Sequence, residues 1–381
     1  MIKKILVLTI CFGAFSLSSC KKEKVLDPKT VDEATHVHEN SSQHICTELS
    51  INDAGNARTE AAIEKNKMWS TGQTIRIKFM NGDNFVQSKV KYYANRWLNF
   101  ANLKFQWVES NDSADIRIAF AWNGDGGSWS YIGTDCKYIP VNDPTINFGW
   151  FNSATTDNEF SRTTLHEVGH ALGLIHEHQS PSASIPWDVQ KVYDYYTSTQ
   201  GWSKAMVDQN IFDKYSATQT NYTEFDMKSI MLYPISSTLT TNGFSTGINY
   251  TLSDLDIYFI GQMYPFSETN KQVLFKGQHL SPGQYLTSKD TRFTLRMQKD
   301  GNLVLNKINF GPLWSSNTWG KPVNRCLMKN NGNLVLDDNS NISYWASNTA
   351  NNPGAFLLLQ NDGNAVIYQN GSAKWATNTA Q

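Results

Sequence analysis

Residues 166–176 read His-Glu-Val-Gly-His-Ala-Leu-Gly-Leu-Ile-His, and this stretch decides how the first two thirds of the chain fold. His166 and His170 are four residues apart, so on a helix both imidazoles face the same side and can hold one metal ion. Glu167 lies beside them, where its carboxylate can take a proton from water at that metal. The spacing therefore predicts a helix that carries a metal site.

The residues that follow complete the ligand set. Gly173 allows the chain to turn sharply, and the turn returns His176 toward the same ion as a third ligand. Three neutral nitrogens with one open position are typical of catalytic zinc and not of a closed structural site. Ser161 precedes an apolar run and is the predicted N-cap of the helix.

Two segments, 166–177 and 229–233, together resemble the astacin family of zinc endopeptidases within the metzincins. The resemblance implies that Met231 lies in a turn that forms an apolar floor under the zinc ligands. It implies that Tyr233 is a switchable fifth ligand that moves to stabilise the oxyanion, and that Glu177 binds near the mature amino terminus. A methionine taken alone is more often an ordinary core residue, but the long zinc motif favours the turn.

The resemblance covers roughly residues 67–266 and includes the start of an astacin mature domain at 68–79. Leu232 stands where the Met-turn usually has histidine, and residues 178–181 replace the usual Arg and Asp. Animal astacins use four cysteines in this domain, whereas this chain has Cys136 alone. The catalytic centre therefore carries over, and the disulfide pattern and substrate preference do not.

Hydrophobic periodicity predicts an α+β zincin domain over these residues, with a mixed sheet above a long helix. Ser253 is the predicted cap of a closing helix. The predicted strands are 74–79, 105–108 and 115–120, and the predicted helices, besides the zinc helix, are 86–100 and 252–263.

The amino terminus predicts export. Residues 1–20 contain Lys3 and Lys4, then an apolar run too short to span a bilayer, then Leu-Ser-Ser before Cys20. This pattern resembles a lipoprotein signal, which implies acylation of Cys20 and a membrane anchor. The alternative is a simple signal peptide with a chance cysteine. Either way the protein is expected in the cell envelope or outside the cell.

Residues 21–66 are polar and poor in aromatic side chains, and between a signal and a protease domain they are interpreted as a propeptide. Cys46 in this segment is the candidate latency switch, because a thiolate can complete a tetrahedral site with three histidines. Two alternatives stay open. One is a disulfide from Cys46 to Cys136 or Cys326, and the other is a ligand role for Asp53 or His44.

Residues 273–381 contain three copies of one pattern. An Asx-Gly-Asn turn is followed by alternating apolar residues, and the central asparagines lie 31 residues apart. Such turns predict β-hairpins. Each copy ends in a tryptophan, and three sheets around a pseudo-threefold axis are expected to bury these tryptophans in a shared core. The asparagines are Asn302, Asn333 and Asn364, and the tryptophans are Trp314, Trp345 and Trp375.

This all-β region resembles the bulb-type mannose-binding lectins, which have a β-prism fold. The resemblance implies sugar binding through a Gln-x-Asp-x-Asn-x-Val-x-Tyr strand. The first repeat has Asn306 in place of tyrosine, and the second departs at three positions, so the third is the candidate site. The five matching residues are Gln360, Asp362, Asn364, Val366 and Tyr368. The alternative is a motif kept as a fold element with no sugar bound.

The net charge of −1 argues against a nucleic-acid partner. The sequence as a whole predicts a zinc endopeptidase made as a zymogen, acting on protein or peptide substrates, with a lectin-like domain that binds mannose-type glycans. The rival hypothesis is a surface adhesion protein whose protease domain is inactive.

Overall fold

The computed structural model describes residues 46–49, 65–217, 221–267 and 271–381. The predictions for the signal segment, Cys20, His44 and Asp53 lie outside the described residues. Within the described ranges no helix is long and apolar enough to cross a membrane.

The first part of the described chain combines one sheet with helices on its face. Its strands are β1 (Cys46–Leu49), β2 (Thr74–Phe79), β3 (Lys104–Trp107), β4 (Ile116–Phe120), β5 (Ser128–Tyr131) and β6 (Ile146–Phe148). Its helices are α1 (Asn84–Ala94), α2 (Asp157–Ala171), α3 (Val189–Gln200), α4 (Lys204–Val207) and α5 (Asp254–Met263).

The strands form a mixed sheet in the order β1-β5-β6-β4-β2-β3. The pairs are parallel except for β5 with β6, which are antiparallel. Helices α1 and α2 pack on this sheet around Trp97, whose indole nitrogen donates to the carbonyl of Leu165 at 3.0 Å. The arrangement confirms the predicted zincin class of the first domain.

The zinc helix begins earlier than predicted. Thr156 is the N-cap of α2, because its hydroxyl accepts from the backbone nitrogen of Glu159 at 3.3 Å. Ser161 lies one turn inside the helix and donates instead to the carbonyl of Tyr250 at 2.6 Å. The prediction of Ser161 as the N-cap was therefore wrong. Several Ser and Thr residues precede the apolar run, and each of them could cap a helix, so the sequence did not identify the correct one.

The predicted closing helix is α5, and Ser253 caps it as expected. Its hydroxyl accepts from the backbone nitrogen of Asp256 at 2.9 Å, and the Asp256 carboxylate accepts from the backbone nitrogen of Ser253 at 2.9 Å. This reciprocal pair is a capping box. It also holds the Asp256 carboxylate in a fixed position at the start of the helix.

The second part of the described chain is all-β. Its strands are β7 (Val273–Leu274), β8 (His279–Leu280), β9 (Tyr285–Thr287), β10 (Phe293–Met297), β11 (Leu303–Lys307), β12 (Gly311–Ser315), β13 (Arg325–Met328), β14 (Leu334–Asp337), β15 (Ser343–Ala346), β16 (Phe356–Leu359), β17 (Ala365–Gln369) and β18 (Ser372–Ala376). They form three four-stranded antiparallel sheets, here called blade 1 (β9–β12), blade 2 (β8 and β13–β15) and blade 3 (β7 and β16–β18).

The three blades enclose one apolar core of leucine, isoleucine, methionine and phenylalanine side chains. Trp314, Trp345 and Trp375 meet at the axis with ring centroids 5.5–5.6 Å apart. Each indole nevertheless remains half-buried, and the three rings pack against the apolar core. The expected three-sheet prism is present, with its tryptophans less buried than predicted.

Candidate active site

The metal-ligating atoms converge from α2 and the turn after it. The Nε2 atom of His170 lies 3.1 Å from Nε2 of His166 and 3.2 Å from Nε2 of His176. Two nitrogens bound tetrahedrally at about 2.1 Å from one ion lie about 3.4 Å apart. The spacing of the three rings therefore fits a single zinc ion.

The other nitrogen of each ring is held by an oxygen. Nδ1 of His166 donates to the carbonyl of Ile230 at 2.8 Å, and Nδ1 of His170 donates to the carbonyl of Leu174 at 2.9 Å. Nδ1 of His176 lies 3.3 Å from the side-chain oxygen of Gln179. These contacts turn each Nε2 lone pair toward the metal position, as the hydrogen-bond partners of zinc-binding histidines do.

Burial keeps these imidazoles neutral. It lowers the pKa of His166 and His176 well below the ordinary value and lowers the pKa of His170 to about 4. Neutral imidazole is the form that binds zinc. The ligand set therefore needs no deprotonation at neutral pH.

The turn after α2 depends on Gly173, which has a φ of 101° in the left-handed region. The backbone nitrogen of Leu174 donates to the carbonyl of Gly169 at 3.0 Å and closes the turn. The chain then leaves in extended conformation at His176, with a φ of −63°. This reversal brings the third imidazole back to the first two.

Cys46 of β1 lies beside this centre, next to His166. Its sulfur, a ring nitrogen of His166 and a carboxylate oxygen of Glu167 all lie within 4.8 Å of one another. Burial, reinforced by the charge of Glu167, raises the pKa of the metal-free thiol well above its ordinary value. The described cysteines Cys46, Cys136 and Cys326 are all buried free thiols, so the disulfide alternative is not what this structure contains.

Tyr233 is buried against two histidines. Its ring centroid lies 4.2 Å from that of His176 and 4.7 Å from that of His178. Its hydroxyl donates a close hydrogen bond to the backbone carbonyl of Cys46. In this structure the phenol therefore contacts β1.

Met231 lies beneath the ligands. A Cβ atom added to Gly169 would lie 2.5 Å from the Met231 sulfur and 3.3 Å from the Trp97 ring. Only glycine therefore lets the methionine pack directly against the zinc helix. Leu232 and Ile230 on either side are also buried.

Glu177 is turned away from the metal. Its carboxylate accepts from the backbone nitrogen of Asp226 at 2.8 Å, and burial raises its pKa well above the ordinary value. Asp226 in turn accepts from the hydroxyl of Ser253 at 2.5 Å. A cavity lies beside Glu177, lined also by Ser180 and Asp256.

The first domain is similar to known proteins. Residues 61–276 match the model of the astacin peptidase family. The chain belongs to the astacin family. A solved structure of myroilysin is 50% identical in the aligned part with a TM-score of 0.52, and the alignment covers 54% of this chain and 98% of that one.

Other known proteins match a smaller share of this chain. Serralysin A of Dickeya chrysanthemi is 32% identical over 113 residues, which are 28% of this chain and 23% of serralysin A. This chain thus spans about a quarter of the length of that curated relative. A monomeric mannose-binding lectin from Gastrodia elata is 38% identical with a TM-score of 0.27, over 29% of this chain and 100% of the lectin.

Within this astacin domain, three residues that orient or line the site were not predicted from the sequence. Asp256 accepts from the Ser229 hydroxyl at 2.7 Å and from the Ile230 nitrogen at 2.8 Å, so it holds the turn whose carbonyl orients His166. The spacing of Ser253 and Asp256 indicated a capping box, and therefore could have identified this carboxylate. No sequence pattern identified Gln179 or Arg162. Gln179 contacts His176 and Arg162 lines a pocket, and both roles depend on the tertiary fold.

A pocket opens beside Cys46 and His166 and runs between Tyr196 and Pro234. Arg162 lines it and is paired with Glu159 at 2.6 Å. The pair leaves the pocket wall nearly neutral in charge. Its apolar residues include Leu232, Leu239 and Ile248.

The candidate sugar residues lie on one strand of blade 3 and the turn before it. The side-chain nitrogen of Gln360 donates to the Tyr368 hydroxyl at 2.9 Å, and the side-chain oxygen of Asn364 accepts from Thr377 at 3.0 Å. Val366 is buried, whereas Asp362 is half-buried. The structure therefore brings the five residues to one surface.

Proposed function

We propose that this chain is an exported zinc endopeptidase that hydrolyses proteins, is made in a latent form, and carries a carbohydrate-binding prism. The endopeptidase activity is proposed from one observation. The Nε2 atom of His170 lies within 3.2 Å of the Nε2 atoms of both His166 and His176, and Glu167 lies beside them. Membership of the astacin family supports the same activity.

Zinc, when bound, supplies a Lewis acid that lowers the pKa of a coordinated water to about 7. Glu167 accepts a proton as water attacks the scissile carbonyl carbon, and then delivers that proton to the leaving amide nitrogen. The Tyr233 hydroxyl donates to the oxyanion after its hydrogen bond to Cys46 is released. The carbonyls of Ile230 and Leu174 keep the ligand rings oriented throughout.

Latency is attributed to Cys46. As a thiolate, Cys46 would hold zinc together with the three histidines and would exclude the water that attacks the substrate. Strand β1 pairs in parallel with β5, which would otherwise be the edge of the sheet, so the same segment also covers the edge where an extended peptide would add. Both contacts must be removed before a substrate binds.

Maturation also bears on Glu177. The cavity beside this buried carboxylate is a candidate acceptor for the new amino terminus, whose ammonium group would neutralise it. Sequencing the amino terminus of the active form tests this assignment.

Export and lipid anchoring are supported by the basic residues, the apolar run and Cys20 in residues 1–20. Labelling of the wild type, but not of Cys20→Ser, with a radioactive fatty acid is the expected result. Carbohydrate binding by the prism is supported by the three copies of the Asx-Gly-Asn turn and of the lectin-like pattern around it. Retention of the intact chain on immobilised mannose tests it.

Glu167→Gln is the decisive variant for the enzymatic proposal. It keeps the shape of the side chain and removes the base, so casein cleavage by the mature form is expected to fall about 10³-fold while zinc content stays equal to that of the wild type. Near wild-type cleavage by the variant would refute the mechanism. A wild-type protein that cleaves nothing, with or without chelator, would favour the rival adhesion protein with an inactive protease domain.

A further inference from the structure

The outer face of blade 3 differs in composition from the equivalent faces of the other two blades. The blades can be compared position by position from the turn glycines Gly301, Gly332 and Gly363. Seven residues before these glycines stand Thr294, Arg325 and Phe356, and five residues before them stand Arg296, Leu327 and Leu358. Blade 3 alone is apolar at both positions.

This apolar face packs on the astacin domain. Phe356 is only 3% exposed, and its ring centroid lies 6.1 Å from that of Phe100 in an edge-on arrangement at 82°. Phe275 lies 6.1 Å from Phe356 and 5.6 Å edge-on from Tyr258 of α5. Ile257 of α5 belongs to the same buried cluster. Aromatic pairs of this kind add to the stabilisation that burial provides.

Helix α5 is shaped for this contact at Gly261. A Cβ atom at this position would lie 2.7 Å from the ring of Phe275 and 3.4 Å from the carbonyl of Phe100. Any other residue would push the ring away from the helix. A glycine inside a helix lowers helix stability by about 1 kcal/mol relative to alanine, so its place here is explained by the close approach.

Polar contacts surround the apolar patch. The backbone nitrogen of Asn370 in blade 3 donates to Asp254, the first residue of α5. Gln272 donates to the carbonyl of Asn99, and Lys289 donates to the side-chain oxygen of Asn99 at 3.2 Å. The contact therefore has an apolar centre and a polar rim, as protein interfaces do.

The motif tyrosine of the third repeat belongs to this contact. Tyr368 packs on Phe356 with ring centroids 6.1 Å apart at 32°, within the cluster that includes Ile257. Its hydroxyl accepts from the side-chain nitrogen of Gln360 at 2.9 Å. The end of the motif that would contact a sugar ring through tyrosine is thus directed to the domain interface.

We infer that the outer face of blade 3 is the surface that fixes the prism to the astacin domain, and that in the intact chain this face takes no sugar. The residues that match the lectin motif have an intramolecular partner. Any glycan bound by the intact protein is then bound elsewhere on the prism.

The first test uses Phe356→Arg in the intact chain, with Glu167→Gln also present to prevent self-cleavage. Arginine is the residue that blade 2 carries at this position, so the prism can accommodate it. We expect a larger maximum dimension in small-angle X-ray scattering and about 10-fold or more faster cleavage of segment 265–271 by added trypsin or thermolysin. Leu327→Arg, the same kind of change on blade 2, is the matched control and should change neither measurement.

Leu358→Arg repeats the test with the residue that blade 1 carries, in case Phe356→Arg fails to fold. Near-ultraviolet circular dichroism of the tryptophan trio reports whether the prism is intact. A folded variant with wild-type dimensions and wild-type linker cleavage would overturn the docking assignment.

The second test measures retention of the intact chain on a mannose column. Asp362→Ala is expected to leave retention equal to that of the wild type, whether the wild type is retained or not. Loss of retention in this variant, with the domains still docked by scattering, would show a sugar at blade 3 and overturn the inference.

Discussion

Tyr233 donates a hydrogen bond to the backbone carbonyl of Cys46, a residue 187 positions earlier in the chain. The same strand places the Cys46 thiol beside Glu167 and His166. One short segment thus contacts the proposed oxyanion donor, the proposed base and a zinc ligand. Substitutions at Cys46 and Tyr233 can separate these contacts, because each removes a different one.

Cys46→Ser is expected to give a full-length protein that cleaves casein at least about 10-fold faster than the unprocessed wild type, because a neutral hydroxyl is a much weaker zinc ligand than a thiolate. Activity is measured on protein whose amino terminus has been sequenced before and after the assay. Cys136→Ser, which alters another buried thiol, is the control. Equal latency in Cys46→Ser and wild type would exclude the thiol switch.

Tyr233→Phe is expected to act in opposite directions on the two forms. In the mature enzyme it removes an oxyanion donor, which should lower kcat about 10²-fold. In the unprocessed form it removes the hydrogen bond to Cys46, so β1 should be cleaved sooner by added protease. Unchanged kcat in a correctly folded variant would make Tyr233 an ordinary core aromatic.

Gly169→Ala tests the packing of Met231 on the zinc helix. Helix propensity alone would make alanine more stable by about 1 kcal/mol. The added Cβ lies 2.5 Å from the Met231 sulfur, and overpacking of this kind costs about 1–3 kcal/mol, so we expect a lower free energy of unfolding.

Urea unfolding of the chelator-treated protein measures this change. Gly247→Ala, where the added Cβ meets nothing within 4 Å, is the matched control. Gly169→Ala should lower the free energy of unfolding by less when Met231→Ala is also present, since the two residues are in contact. An equal cost in both backgrounds would contradict the proposed contact.

The pH dependence of the metal-free protein follows from its buried histidines. Burial lowers the pKa of His170 from 6.5 to about 4 and that of His178 to about 3. The unfolded chain therefore binds protons first as the pH falls, and the free energy of unfolding should decrease from about pH 6.5 down to about pH 3. Urea midpoints measured at several pH values in chelator check this. His279→Gln, which changes an exposed histidine, is the control and should show the same pH profile as the wild type. A wild-type urea midpoint that stays constant between pH 7 and pH 5 would refute the prediction.

Sequence periodicity predicted the helix and the strands around the site. It did not predict features that depend on tertiary contacts. The four-residue spacing of His166 and His170 is enough to place both rings on one helix face. Strand β2 was predicted with its observed bounds. Strands β5 and β6 were not predicted, because they are only four and three residues long and too short for their alternation to stand out.

The prism shows the same limit. The 31-residue repeat predicts three sheets, and three are present. Phe356 in isolation has the pattern of a core residue, and only the comparison with Thr294 and Arg325 shows that its apolar character serves the outer face. The Phe100 contact that explains it joins residues 256 positions apart, which no local pattern encodes.

Strand β1 has a further consequence for how the protein behaves in solution. With β1 in place, β5 is paired on both sides, and β1 itself is the edge strand of the sheet. Its departure leaves a row of unpaired backbone donors and acceptors, which is the template on which strands of separate molecules associate. The activation proposed above would therefore expose β5, and the edge that can hold an extended substrate could equally pair with another copy of the protein.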